Sequence, residues 1–584
     1  MVFMRDGVNL STDLYFPDGV TEKLPVILVR TAYGKRNEVK NNPLYQKLIK
    51  RGYVIAVQDI RGRFESEGEY NIATNRREDG YDTLDWLVSR PWSSGKVGTA
   101  GCSYLGETQV VLAAANHPNH VTAIPRSAAS GYYMPGRAWQ AFSGGVFELA
   151  QTAGWFAGSG SKVFYGPPAN VDKETWFKSK FAENFDPAPK INFEAYMELL
   201  PTLPVETILD RAPLPPTDYK KWVTSAPDGP YYRGLDLATQ DDVFNVPALF
   251  MDSWYDYGPA ETLEMLKTFS ENAQSDVAKN NQFLIIGPST HCNYEAATEN
   301  TIVGERELGD ARLAYEDIQL KWYDYWLKGD KNSITDMPKI QYYVMGKNEW
   351  KATEVWPPIG TTYQKWYLNS GGNANSRNGD GVLTQKLTSI SAQNMKDVDK
   401  FIYDPANPVP SLGGHTCCTG SDKEAGGYDQ SEIELRDDVL VYTSDALKEG
   451  VEVTGALEVV LYVSTSVKDT DFTAKLVDVY PDGRAYNVQE GALRMRYRKS
   501  LSQADFITPG DVYEIKLDLH ATSNYFPKGH RIRLEVSSSN FPRLERNLNT
   551  GGDNYNETEW LTAHNNVYHS NVRPSHILLP VIKP

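Results

Sequence analysis

Cysteine is scarce in this chain: four residues, Cys102, Cys292, Cys417 and Cys418, among 584. So few cannot staple a chain of this size, which excludes a disulfide scaffold. No apolar run approaches the ~18 residues needed to cross a bilayer, so no membrane role is expected. Basic residues are outnumbered, 59 against 75 acidic ones, and a formal charge of -16 repels phosphate backbones. Nucleic acid is therefore not an expected partner. Met1 to Asp6 contain no apolar leader, and the chain starts inside a strand-like segment. The compartment, cytoplasmic or exported with a signal peptide absent from this chain, stays open, as does the oligomeric state, a homodimer included.

What the chain does have is a regular alternation of strand and helix signals. Single hydrophobic cores stop growing near ~250 to 300 residues, so two or three domains are expected. Leu24–Arg30 and Gly52–Gln58 are short runs rich in β-branched residues that read as buried parallel strands. Tyr45–Arg51 and Asp79–Ser89 carry helical spacing, Val97–Gly101 is a further strand, Gln109–Asn116 a small-residue helix, and Val121–Ser127 a strand again. Such alternation predicts a doubly wound α/β sheet.

From residue 132 to 238 the rhythm gives way to aromatic and Gly/Pro-rich stretches with helical patches such as Phe193–Leu200, which reads as an inserted helical cap. The α/β pattern resumes with strands at Val246–Met251 and Gln282–Gly287 and helices near Pro259–Phe269 and Ala311–Lys328. The α/β domain is thus split over 1–131 and 239–350. From 351 to 584 short strands, among them Val459–Ser464, Phe472–Tyr480, Tyr513–Leu519 and Arg531–Ser537, alternate with Gly, Asp, Asn and Pro clusters. This is the pattern of a β-sandwich, read here as a jelly roll.

Ser103 stands in Gly101-Cys102-Ser103-Tyr104-Leu105-Gly106, directly after a strand and before a helix. A tight turn there lifts a serine hydroxyl above the sheet, and the helix N-terminus faces developing negative charge. On its own the string also suits an ordinary Gly-rich strand-to-helix turn. Its weight comes from two residues further along the chain that complete the order serine, acid, histidine: Asp256 lies just past Val246–Met251, and His291 just past Gln282–Gly287. Of nine histidines only His291 follows a late α/β strand. Asp252 competes with Asp256 for the acid role and is alternatively a structural or substrate-contacting carboxylate.

The chain resembles the bacterial cocaine-esterase group of the X-prolyl dipeptidyl-peptidase and α-amino acid ester hydrolase family. The likeness runs over nearly the whole length: Met4-Arg5-Asp6-Gly7-Val8, Gln58-Asp59-Ile60-Arg61-Gly62-Arg63, Ser66-Glu67-Gly68 and the Ser103 elbow, then Trp254-Tyr255-Asp256 and Gly287-Pro288 before His291. It continues through Tyr403-Asp404-Pro405-Ala406-Asn407-Pro408-Val409-Pro410 and Asp471-Phe472-Thr473-Ala474-Lys475-Leu476. The resemblance implies an α/β-hydrolase domain, a helical cap and a C-terminal jelly roll. It also implies an oxyanion hole made of the Tyr33 hydroxyl and the Tyr104 amide, and hydrolysis of a small ester or amide through a Ser103 acyl-enzyme, without metal or organic cofactor.

Departures from that family bear on substrate. Where Gly-Pro-Trp-Xaa-His is common, Ser289 replaces the tryptophan, which is expected to open that wall, and Gly258 stands where cocaine-hydrolysing members carry an aromatic two positions past the acid. Cocaine is therefore not the expected substrate. Trp139, Trp155, Phe156, Asp252 and Tyr257 are candidates for the substrate pocket, with ordinary core packing the alternative for the aromatic residues of the cap. Relatives acting on α-amino esters or Xaa-Pro dipeptides need a carboxylate for the substrate ammonium, for which Glu107, Asp252 and Glu261 are available. Asp59 and Arg61 read as a structural ion pair beneath the site, and Cys102 and Cys292 as small residues packed beside it. His415 with Cys417 and Cys418 lacks the paired spacing of a zinc site.

Overall fold

The runs read as buried strands lie side by side in one nine-stranded sheet. The computed structural model describes the chain except for residues 20, 74–75, 138–139, 161–190, 213, 215, 388–396, 418–422 and 584. In chain order the sheet strands are β1 (Thr12–Tyr15), β2 (Leu24–Thr31), β3 (Val54–Asp59), β4 (Ser93–Cys102), β5 (His120–Arg126), β6 (Ala248–Ser253), β7 (Gln282–Gly287), β8 (Ile340–Val344) and β9 (Glu349–Thr353). Their spatial order is β9-β8-β7-β6-β5-β4-β2-β3-β1. All neighbours are parallel except the two edge pairs, β1 with β3 and β8 with β9.

Every residue of β2, β3, β6 and β7 is buried, as continuous apolar runs covered on both faces must be. Period-two alternation divides them between two cores. Ile27, Val29, Ile55 and Val57 face helices α1 (Pro43–Lys50) and α6 (Tyr315–Tyr323). Val26, Leu28, Val54 and Ala56 pack with Leu84 and Leu87 of α2 (Arg76–Val88) and Leu112 of α3 (Tyr104–Ala114). Asn42 starts α1, its side chain accepting the Leu44 N–H at 3.1 Å ahead of Pro43, a usual first helical residue. The helix predicted over Ala311–Lys328 starts only at Tyr315, and its last turn, Asp324–Lys328, widens to π-helical spacing before Gly329.

The chain runs outward from β2 to β3 and then returns to the other side of β2 with β4. The crevice beyond the carboxyl ends of β2 and β4 is therefore the topological switch point, where ligands of such sheets bind. Tyr33 follows β2 and Ser103 follows β4.

Between β5 and β6 lie a two-residue hairpin, Phe142–Ser143 with Val146–Phe147, the helix α4 (Leu149–Ser159), and shorter helical turns. Helix α5 (Pro259–Glu271) follows β6. Among the described residues from Thr361 to Ile582, eleven strands form a β-sandwich around a second core. Its longest strand, Val451–Thr465, turns Leu457, Val459, Leu461 and Val463 inward against Leu517, Leu534, Ile577 and Leu579. Sandwich and α/β domain interlock: Arg306, fully buried, donates to Tyr255 Oη at 3.2 Å, to Asn524 Oδ1 at 2.6 Å and to Asp478 Oδ2 at 3.2 Å.

Candidate active site

Ser103 has φ 60° and ψ -130°, a conformation L-residues rarely adopt, between the end of β4 and the start of α3. Two glycines make the turn possible. A Cβ on Gly101, itself at φ +139°, would meet Leu105 Cβ at 2.3 Å; a Cβ on Gly106 would meet the carbonyl oxygen of Arg126 at 2.5 Å. That carbonyl accepts the Ser103 N–H at 3.0 Å, so the elbow is fastened to β5 as α3 begins. The second glycine stands three residues after the serine because that is the helix position pressed on β5.

His291 and Asp256 meet. Nδ1 lies 2.9 Å from both carboxylate oxygens, and since those oxygens accept, Nδ1 carries the hydrogen and Nε2 presents its lone pair. Asp256, 1% exposed, also accepts the Ser127 hydroxyl at 2.5 Å and the Tyr257 N–H at 2.7 Å. Tyr294 joins this network through its hydroxyl, which contacts Ser127 Oγ and donates to the Met251 carbonyl at 3.3 Å. Neither Ser127 nor Tyr294 carries a sequence signal for such a role.

Asp252 lies behind this pair. It is wholly buried in β6, accepting the Thr262 hydroxyl and the Ser253 N–H. Burial first, and the neighbouring Asp256 second, push its carboxyl well above the usual carboxylate range. With no surface exposed, it is placed as an internal group, not as the substrate contact considered from sequence.

Cys102 and Cys292 are joined in a disulfide, with Cα atoms 5.9 Å apart. This corrects their reading as packing residues. The crosslink unites the residue before Ser103 with the residue after His291, drawing elbow and base loop together across 190 positions.

Tyr33 is 38% exposed, at the switch point. Its hydroxyl oxygen accepts the indole N–H of Trp155 at 3.4 Å, and its ring stands edge-on to Tyr104, on which Trp155 stacks. Tyr104's own hydroxyl is turned inward to the Ile72 carbonyl at 2.9 Å, with burial raising its pKa to about 12. Tyr257 flanks the base, ring centroid 5.3 Å from that of His291, and its hydroxyl accepts from Ser130 at 3.0 Å. Phe156 is core: 1% exposed and edge-on to Trp222 and Tyr219. Trp139 lies outside the described residues.

Several neighbouring expectations change. Asp59 and Arg61 do not pair with each other. Asp59, pushed up to about 7 by burial, accepts the Lys35 N–H at 2.8 Å, whereas Arg61 forks onto Asp79 at 2.5 and 3.0 Å. The chain turns after Ile60, sending the two side chains apart. Ser289, in the place of the tryptophan, is 5% exposed and bonded to Ser253 Oγ at 2.9 Å. His415 is buried, stacked on Tyr255 and held to about 3 by burial; Cys418 lies outside the described residues. Among the described residues no group of three or more His, Cys, Asp or Glu side chains is arranged to hold a metal, and no helix is long and apolar enough to cross a membrane.

A family model of the X-Pro dipeptidyl-peptidase (S15 family) matches residues 6–293, and one of the X-Pro dipeptidyl-peptidase C-terminal non-catalytic domain matches residues 332–578. In fold the chain is similar to an aminopeptidase from the marine sediment archaeon Thaumarchaeota archaeon, with TM-score 0.81 and 23% identity over 100% of this chain and 96% of that one. It is similar also to an α-amino acid ester hydrolase, with TM-score 0.77 and 24% identity over 100% and 95%. In sequence it is 36% identical to the cocaine esterase of Rhodococcus sp. (strain MB1 Bresler), over 100% of this chain and 98% of that protein. The protein is a serine ester hydrolase by this kinship. A match of that depth from end to end settles its ancestry: the chain belongs to the cocaine-esterase-like hydrolases of the X-Pro dipeptidyl-peptidase family.

Proposed function

We propose that the protein hydrolyses esters of compact carboxylic acids through a Ser103–His291–Asp256 triad. His291 Nε2 takes the Ser103 proton as Oγ attacks the ester carbonyl. The Tyr33 O–H and the Tyr104 amide hold the oxyanion, and the Trp155 N–H on the Tyr33 oxygen turns the phenol hydrogen away from itself, toward that role. His291 then protonates the departing alkoxide. Water, deprotonated by the same imidazole, attacks the acyl-enzyme and releases acid and free serine. The observation that carries this reading is the His291–Asp256 pair on a loop crosslinked to the serine elbow.

Ester hydrolysis is preferred over Xaa-Pro or α-amino ester chemistry because the carboxylates considered for an ammonium group are already engaged. Glu107 pairs with Arg76 at 2.9 Å, Glu261 pairs with Arg137, and Asp252 is sealed in β6. Cocaine is not the proposed substrate: a Cβ on Gly258 would meet Ala129 Cβ at 2.3 Å, so this backbone leaves no room for an aromatic side chain two positions past the acid.

A panel of p-nitrophenyl acyl esters and Xaa-Pro p-nitroanilides, with Ser103→Ala as control, tests the proposal. Esters are expected to turn over at least tenfold faster, as kcat/KM, and Ser103→Ala to abolish both turnover and fluorophosphonate labelling. Anilides hydrolysed as well as esters would move the assignment to the peptidase reading. Unlabelled, inactive folded protein would move it to a non-catalytic, glycan-binding role.

A further inference from the structure

Crosslinks in folded proteins usually tie distant scaffold segments, but this one ends at the two residues adjoining the proposed nucleophile and base. Cys102 is the last residue of β4, in the buried sheet, and the next residue is the strained Ser103. Cys292 stands at φ +58°, so the backbone on the far side of His291 is also left-handed at a residue with a side chain. Both cysteines are only half-buried.

The base loop has other fastenings on both sides of the imidazole. Before His291, Trp254 N–H donates to the Gly287 carbonyl at 2.8 Å and Ser289 bonds Ser253 at 2.9 Å. After it, the Asn293 N–H closes a turn onto the Thr290 carbonyl at 3.1 Å, and Tyr294 is anchored through its hydroxyl. The disulfide is the covalent fastening on the C-terminal side of His291, and it ties the base loop directly to the serine elbow. Asp256 orients the ring through Nδ1, yet it fixes no distance to Ser103.

We propose that the Cys102–Cys292 disulfide is a positioning element for catalysis, and that its reduction switches the esterase to a low-activity state without unfolding it. The inference rests on the triad reading above. The chemistry is thiol–disulfide exchange: a dithiol reductant gives up two electrons and two protons, its own sulfurs becoming a disulfide, while the Cys102–Cys292 bond opens to two thiols. The base loop then relaxes at Cys292 and the imidazole loses its fixed approach to the hydroxyl. A displacement of about 1 Å in such a geometry costs about 10²-fold in rate.

The test compares wild type before and after dithiothreitol treatment and removal of the reductant, with peptide mapping of the Cys102–Cys292 link and circular dichroism at the assay temperature. Expected are a linked pair in the oxidised protein and, on reduction, an unchanged spectrum, a kcat down by one to two orders of magnitude, a KM within about twofold and correspondingly slowed fluorophosphonate labelling. Reoxidation should restore activity. The double variant Cys102→Ser/Cys292→Ser should be slow and indifferent to reductant, and Cys417→Ser should remain sensitive to it. Three outcomes overturn the proposal: an unlinked pair after oxidation, full kcat after verified reduction, or loss of activity only in step with loss of the circular dichroism signal. The triad reading fails separately, if oxidised Ser103→Ala still turns over ester.

Discussion

The indole N–H of Trp155 donates to the phenol oxygen of Tyr33 across 3.4 Å, linking the cap segment to the loop after β2. A phenol that accepts from one side is oriented to donate on another. Tyr33→Phe is expected to lower kcat by about 10²- to 10³-fold, the usual loss for one oxyanion donor, with KM little changed. Trp155→Phe keeps an aromatic ring beside Tyr104 and removes only the donor, so a smaller fall in kcat is expected. Steady-state kinetics on one p-nitrophenyl ester checks both.

Ser127 gives the carboxylate of Asp256 its shortest hydrogen bond, at 2.5 Å. A hydrogen bond to a charged group contributes about 1.5 to 3 kcal/mol. Ser127→Ala should therefore reduce kcat about tenfold or more while leaving KM within about twofold. A kcat equal to wild type would place Ser127 outside the catalytic network.

Arg76 and Glu107 form a 2.9 Å ion pair with side chains 2% and 3% exposed, and the guanidinium also lies over the Tyr104 ring. Removing one partner strands a buried charge, which costs about 3 to 5 kcal/mol. Arg76→Met and Glu107→Gln should each lower the melting temperature markedly. The double variant should recover part of that loss, since no lone charge then remains.

Burial holds His120 and His415 at about 3, far below the ~6.5 of an unfolded histidine. Both stay neutral in the fold while the unfolded chain gains protons below pH ~6.5. Their contribution to stability is therefore present above that pH and is lost as pH falls from there toward 3, at about 1.4 kcal/mol per pH unit for each. His120→Gln should show a smaller drop in melting temperature between pH 6.5 and 4.5 than wild type. An equal or larger drop rejects this account.

Gly106 presses on β5 at the carbonyl that fastens the elbow. Gly106→Ala must push α3 off the sheet, with an expected cost of about 1 to 3 kcal/mol and a displaced Ser103. Thermal unfolding together with fluorophosphonate labelling separates the two effects.

The parts of this protein that read most directly from its sequence are those where one physical signal dominates. Gln282–Gly287 and Arg531–Ser537 are strands at the predicted bounds, since unbroken apolar or alternating β-branched runs admit little else. Helix α3 begins at Tyr104, five residues before its predicted start at Gln109, because a glycine-bearing turn and the first helical turn look alike until the packing on β5 is known. Asp256 is separable from Asp252 by chain position, and their partners give the reason: one carboxylate has two donors and a histidine, the other is shut inside a strand. Ser127 is silent in the sequence because a serine at a strand end has many ordinary uses. The disulfide is hidden by its span, although bringing Ser103 and His291 into one site requires their neighbours to come close as well.

Arg306 carries a further consequence. Its guanidinium, sealed from water, finds its acceptors in Tyr255 of the acid loop and in Asp478 and Asn524 of the sandwich, and Tyr255 in turn reaches the Asn487 carbonyl at 3.3 Å. Cutting the chain after β9 would remove Asp478 and Asn524, two of the three acceptors of a guanidinium that holds Tyr255, the residue before Asp256. The hydrolytic half is thus no freestanding enzyme to be trimmed for engineering, and the two halves must be inherited, expressed and mutated as a single cooperative unit.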